Sequence, residues 1–169
     1  MYQSYPGGAP SPEQYGQPAA PVPQSVTRAV QLMYAGAAAS LIGIVVGLTT
    51  TGSLRSAIQK RSPTMTPAHV TDAVHLEVGF AIVGGLIAAA LWIWMAQSNK
   101  AGKSWARILS TVLFGISTIS ALASLAGGAL AGGGASRIYG IVVWLIGLAA
   151  TILLWQRAST DYFKSAPRY

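Results

Sequence analysis

The stretch LWIWMAQSNKAGKSWARIL, residues 91–109, falls from tryptophan-studded apolar chain into a few polar and basic residues, then returns at once to apolar chain. Two changes of solvent in so short a length mark a turn between two membrane-spanning helices. Trp92, Trp94 and Trp105 flank the turn as interfacial anchors, since an indole has an apolar body and one polar edge. Lys100, Lys103 and Arg107 then belong in the headgroup zone between the two helices.

Outward from this turn the chain holds four apolar runs, from about Ala29 to Leu48, Val78 to Ala96, Ile108 to about Leu130, and Ile138 to Trp155. None contains a charged residue, and each is close to the ~20 residues that a helix needs to cross ~30 Å of hydrocarbon. Only helices or closed barrels satisfy their backbone groups in lipid. Unbroken apolar runs lack the alternation of barrel strands. The expected fold is all-α, a four-transmembrane-helix bundle with a disordered N-terminal tail. The spacing predicts helices over about 28–50, 67–97, 105–127 and 137–156, within a membrane domain covering 27–157.

Composition agrees. Only 9% of the residues are charged and 52% are hydrophobic, whereas an ordinary soluble domain is about 25% charged. Many of the 19 glycines fall inside apolar runs, a placement that membrane helices tolerate. A length of 169 residues leaves room for a few spans and a tail, without a separate catalytic domain. The formal charge of +7 does not indicate nucleic acid, because the cations sit between apolar runs rather than on one folded face. The absence of cysteine excludes disulfides, thiolate chemistry and cysteine-based metal sites.

Residues 1–26 form the expected tail, with six of the nine prolines in its first 25 residues and almost no aliphatic side chains. Such a segment cannot bury enough apolar area to offset its ordering entropy. The chain's first cation is Arg28, beyond this segment, and the apolar run that follows is too long, so the segment does not read as a signal peptide. PAAP at 18–21 matches a PxxP pattern, and Tyr2, Tyr5 and Tyr15 are recognition handles beside it. Residues 158–169, basic and aromatic, form a short C-terminal tail suited to an anionic inner leaflet.

With the N-terminus inside, Arg28, Lys100, Lys103, Arg107, Arg157, Lys164 and Arg168 lie on the cytoplasmic side, and Arg55, Lys60, Arg61 and Arg137 outside. The excess on the first side places both termini in the cytoplasm. The only long loop, about Gly52 to Glu77, contains Thr66 as a helix cap and Pro67 at the first helical position, so the second helix is expected to project beyond the membrane.

Small residues recur at helix-packing intervals. Gly36, Ser40, Gly43 and Gly47 step along the first helix; Ala81, Gly85 and Ala89 along the second; Ser117, Ala121, Ser124 and Gly128 along the third. Such stripes let backbones approach closely in lipid. Packing within one bundle accounts for them, and a homo-oligomer is the alternative use. His69, Asp72 and His75 share one helical face with metal-ligand chemistry, yet no fourth ligand accompanies them and the same spacing arises on solvated helices. Glu77 is the acidic residue nearest a span and reads as interfacial. AGKSW at 101–105 carries part of a phosphate-loop signature, but Gln97 stands where its first glycine belongs and no buried strand precedes it. The serines and threonines of the third run have no intramembrane base beside them. No catalytic residue, cofactor or metal is therefore expected.

SVTRAVQLMYAGAAASLIGIVVGL, GKSWARILSTVL and FKSAPRY resemble segments of a group of small actinobacterial four-span membrane proteins with Pro/Tyr/Gln-rich N-terminal tails. The resemblance covers nearly the whole chain, through topological and interfacial motifs. It implies a plasma-membrane location and a cytoplasmic N-terminus, and it carries over no site residues. The functional expectation is a non-enzymatic scaffold or accessory subunit in the lipid bilayer. Its protein partners would bind through the spans or the tail. An oligomeric channel or transport component is the alternative.

Overall fold

The computed structural model describes residues 21–126 and 134–165, with side chains over 21–123 and 138–165. Expectations for residues 1–20, the glycine-rich link at 127–133 and residues 166–169 fall outside these bounds. The described chain is all-helical: α1 (Gln24–Thr49), α2 (Thr51–Arg61), α3 (Pro67–Lys100), α4 (Ser104–Ala126), α5 (Gly134–Leu154) and α6 (Arg157–Ser165). Three of these, α1, α3 and α4, are long and apolar enough to cross a membrane, and α5 with α6, bent by 64°, makes up to a fourth span.

Local chemistry explains the breaks. Pro23, extended, precedes α1, and Thr50 ends it. The hydroxyls of Thr49 and Thr50 both donate to the Val46 carbonyl, and the Thr50 N–H also bonds back to Val46 and Gly47. Threonines that bond to their own backbone in this way compete with helix continuation. The chain then restarts as α2, inside the segment expected to be a loop. Nothing in α2 is fully buried, and its register is set by packing on the first turns of α3, where Val70 and Val74 are buried. Thr66 caps α3 by accepting from the His69 N–H, with Pro67 at the first helical position. At 1.5 Å per residue the 34 residues of α3 extend about 51 Å, roughly 20 Å more than a bilayer core requires. The Pro67 end, clasped by α2, therefore stands clear of the hydrocarbon.

The 91–109 turn is a Schellman motif. Gly102, at φ 72°, is the left-handed residue; its N–H bonds to the Asn99 carbonyl at 3.0 Å and the Lys103 N–H to the Ser98 carbonyl at 3.2 Å. Beyond it α4 runs back beside α3. Around the bundle, α1 packs along both α3 and α5, while α4 contacts α3 and α5. Thus α1 and α4 lie on opposite corners.

The buried core sits at one end. Val26, Ala29, Val30, Met33, Met95, Ala96, Ala150, Leu154 and Phe163 form one apolar cluster there, closed beneath by α6. The residues expected to be a free C-terminal tail thus form, up to Ser165, a docked helix. Elsewhere large side chains face outward: Phe80 is 74% and Ile119 69% exposed, positions that lipid rather than protein covers.

Candidate functional site

Two features could carry function: a polar latch at the α6 end, and a cavity within the four long helices.

The latch draws side chains of α1, α4 and α6 and backbone carbonyls of α3 and α5 together. Ser159, fully buried, donates to the Leu153 carbonyl at 2.7 Å. Its single proton is thereby used, so the 2.7 Å bond between Ser25 and Ser159 has Ser25 as donor. Tyr162 donates to the Lys100 carbonyl at 2.9 Å, and Ser104 to the Phe163 carbonyl at 3.0 Å. These bonds tie α6 to α1, α3 and α4 across the turn described above. Arg107 completes the latch. Its guanidinium donates to Thr160 Oγ1 at 3.1 Å and lies 4.2 Å from the centre of the Trp155 ring and 5.4 Å from that of Phe163. Its Nε is buried without a partner among the described residues. Such stacking on aromatic faces suits arginine better than lysine.

One turn deeper lies Asn99, 0% exposed. Its amide donates to the Met95 carbonyl at 2.8 Å and to Ser110 Oγ at 3.0 Å, joining α3 to α4, while Oδ1 is left without a partner. Higher in the bundle, α4 and α5 are joined by a repeated device. Thr111 and Thr118 each donate to the carbonyl four residues back and accept an indole N–H, Thr111 from Trp155 just past the end of α5 at 2.9 Å and Thr118 from Trp144 of α5 at 3.0 Å. Thr160 does the same on α6, donating to Gln156 and accepting from Arg107. Every one of these groups is a donor or acceptor with its hydrogen bonds directed into the protein. None pairs a nucleophile with a base.

The cavity measures about 450 Å³ and is bounded by all four long helices. Met33, Met95 and Ala150, members of the buried cluster, form its floor; Trp92, Phe114 and Trp144 provide aromatic walls. No charged side chain lines it. Its hydroxyls are largely committed: Ser40 donates to Gly36, Tyr139 to Ala39 and Thr151 to Gly147 carbonyls, and Ser110 accepts from Asn99. A smaller hollow of about 330 Å³ adjoins it, sharing Ser40, Ala88 and Tyr139 and continuing past Gly43 and Gly84. At about 24 cal/mol per Å³, an empty closed void of 450 Å³ would cost on the order of 10 kcal/mol. A cavity this large is tolerable only because it is partly open.

The structure redistributes the residues singled out in the sequence. Gly36 and Gly85 are close-approach positions: a Cβ on Gly36 would lie 2.8 Å from the Trp92 ring, and one on Gly85 2.6 Å from the Ile44 side chain. Gly43 sits under the Tyr139 phenol, and Ser40 is buried beside them. Gly47 is a correction: a Cβ there would meet nothing within 4 Å, because the end of α1 has no neighbour over that face. Trp92 is a second correction. It turns into the bundle over Gly36 and lines the cavity, whereas Trp94 and Trp105 stay about half exposed and contact each other at 5.5 Å. Lys100 and Lys103 are exposed at the turn, as expected of headgroup-zone cations, and Arg107 is drawn into the latch. His69, Asp72, His75 and Glu77 are all exposed on the projecting part of α3, and among the described residues no three His, Cys, Asp or Glu side chains converge on a metal position.

Sequence reasoning missed the indole–threonine pairs, although Thr111 and Thr118 are seven apart and Trp144 and Trp155 eleven apart. Both are whole numbers of turns along one helical face, and that periodicity was the available signal. No family model matches the chain, and no curated protein or solved structure matches it.

Proposed function

We propose that the protein is a polytopic plasma-membrane protein without catalytic activity, acting as a scaffold or accessory subunit of a membrane complex. The observation that carries this reading is the chemistry of the interior. No charged side chain lines the cavity, and the hydroxyls around it are largely engaged with backbone carbonyls or with Asn99. Transport and intramembrane catalysis generally need ionisable groups or broken helices at membrane depth. What the protein offers instead is a rigid projection, α2 clasped to the start of α3, together with the N-terminal tail.

Charge supports the orientation with both termini cytoplasmic. Arg28, Lys100, Lys103, Arg107, Arg157 and Lys164 gather at the α6 end with Asp161, whereas Arg55, Lys60 and Arg61 share the opposite end with Asp72 and Glu77. The cationic end belongs inside by the positive-inside rule. A reporter fused near Lys100 is expected to read cytoplasmic, and a periplasmic readout would reverse the orientation.

Purification in mild detergent tests the scaffold reading. Co-purification with a larger assembly, lost on deletion of residues 1–25, is expected. A defined homo-oligomer that conducts ions in reconstituted vesicles would replace this reading with that of a channel.

A further inference from the structure

We propose that the bundle binds an acyl chain of a bilayer lipid in the corridor formed by the cavity and its adjoining hollow. This goes beyond the scaffold reading and does not depend on it.

Position is the first argument. The two hollows are walled by the middle turns of helices long and apolar enough to cross a membrane, so the medium that reaches them is hydrocarbon. Length is the second. From Met33 to Ile44 on α1 the corridor covers about 16 Å at 1.5 Å per residue, close to the roughly 15 Å of one leaflet's hydrocarbon. The third argument is selectivity. The floor of Met33, Met95 and Ala150 lies on the sealed α6 end, so no water-lined path continues through it. A hydrated ion or sugar would lose its water against walls that hold no charged group and whose Ser40, Tyr139 and Thr151 hydroxyls already donate to backbone carbonyls, and that loss is costly without replacement bonds. A methylene chain gives up nothing. The fourth is shape. A Cβ placed on Gly140 or Gly84 would meet no atom within 4 Å, so on both sides of the corridor the chain leaves out a side chain where space exists for one. A bound acyl chain fills that space, as pockets for small ligands are filled by apolar bodies.

The test uses the full-length protein in nanodiscs of phosphatidylethanolamine and phosphatidylglycerol, doped with a phosphatidylglycerol carrying a diazirine at the end of one acyl chain. After photolysis, adducts are mapped by mass spectrometry. The proposal expects adducts on wall residues such as Trp92 and Val143 as well as on lipid-facing Ile119 and Ile152. Gly140→Phe, which projects into open space, should abolish the wall adducts and leave the lipid-facing ones. Ala121→Phe on the opposite wall serves as the second variant, with fold checked by the thermal midpoint. Wild-type labelling confined to lipid-facing residues would overturn the proposal, as would wall labelling that survives both substitutions in folded protein.

Discussion

Gly36 and Gly47 lie on one small-residue stripe of α1, yet the same substitution should act on them with opposite sign. In Gly36→Ala the new Cβ would sit 2.8 Å from Cδ2 and Cε2 of Trp92 and 3.1 Å from Cζ2, against the 3.5–4.0 Å of an ordinary carbon contact. The atoms it meets are the fused part of the ring, and the ring's far edge already lies 3.7 Å from where a Cβ on Gly147 would be. The ring must therefore move as a whole to make room. Overpacking of this kind costs about 1–3 kcal/mol, partly offset by the ~0.5–1 kcal/mol that alanine gains over glycine in a helix. Gly47→Ala meets no atom within 4 Å and keeps only the gain. The two variants should differ by ~1–3 kcal/mol, the overpacking cost alone since both share the alanine gain, with Gly36→Ala below the wild type and Gly47→Ala level with it or above. Equilibrium unfolding by SDS titration in dodecylmaltoside micelles, followed by far-ultraviolet circular dichroism, measures the difference. Equal stability of the two variants would refute the packing of Trp92 over Gly36.

Phe163→Ala should cost about 3–5 kcal/mol if the α6 end is a true core, and hydrogen exchange over 157–165 should rise toward that of a free tail. Arg107→Lys should lose ~1–2 kcal/mol despite keeping the charge, because an ammonium cannot both stack on Trp155 and reach Thr160; indistinguishable SDS midpoints would count against the stacked geometry. A double-mutant cycle on Thr118→Val and Trp144→Phe should return a coupling of about 0.6 kcal/mol, the usual size for hydrogen bonds between membrane helices, and a coupling of zero would remove that bond from the account of how α4 is held.

Burial in lipid was legible because it is compositional: runs of apolar residues long enough to span announce α1, α3, α4 and α5 whatever their neighbours. The start of α3 was legible too, since Thr66 and Pro67 are local signals read by the backbone itself. Orientation of a side chain about its helix was not. Trp92 and Trp94 stand two residues apart, about 200° round a helix of 3.6 residues per turn, so one must face inward when the other faces out, and composition does not say which. Gly47 failed for a related reason: a stripe identifies a face, but only the neighbour's position decides where along it backbones meet. Helix α2 carries no apolar periodicity, since it is held by Val70 and Val74 of another element. Docking of α6 depends on Ser159 and Phe163, four apart, finding Ser25 and Leu154 more than a hundred residues away or just across a bend.

Lipid removes the hydrophobic drive that would press these helices together, leaving close packing and interhelical hydrogen bonds as the forces available. Their distribution along the bundle is uneven. At the α6 end both operate at once, with the apolar cluster, the Ser25–Ser159 bond, the Asn99–Ser110 bond and the stacked Arg107 within two turns of one another. Toward the α2 end, α1 and α3 still meet through Gly85, and α1 and α5 through Gly43 and Tyr139, but α4 is held to α5 chiefly by Thr118 and Trp144. The cavity opens between these contacts, walled by all four long helices. Tightening it with larger side chains would have been simple at Gly140, where a Cβ has open space. A bundle whose sole task was to stay folded would gain from doing so, and the combination of a firmly latched base with an unfilled upper half is what a membrane protein needs if something other than its own side chains is to occupy the interior.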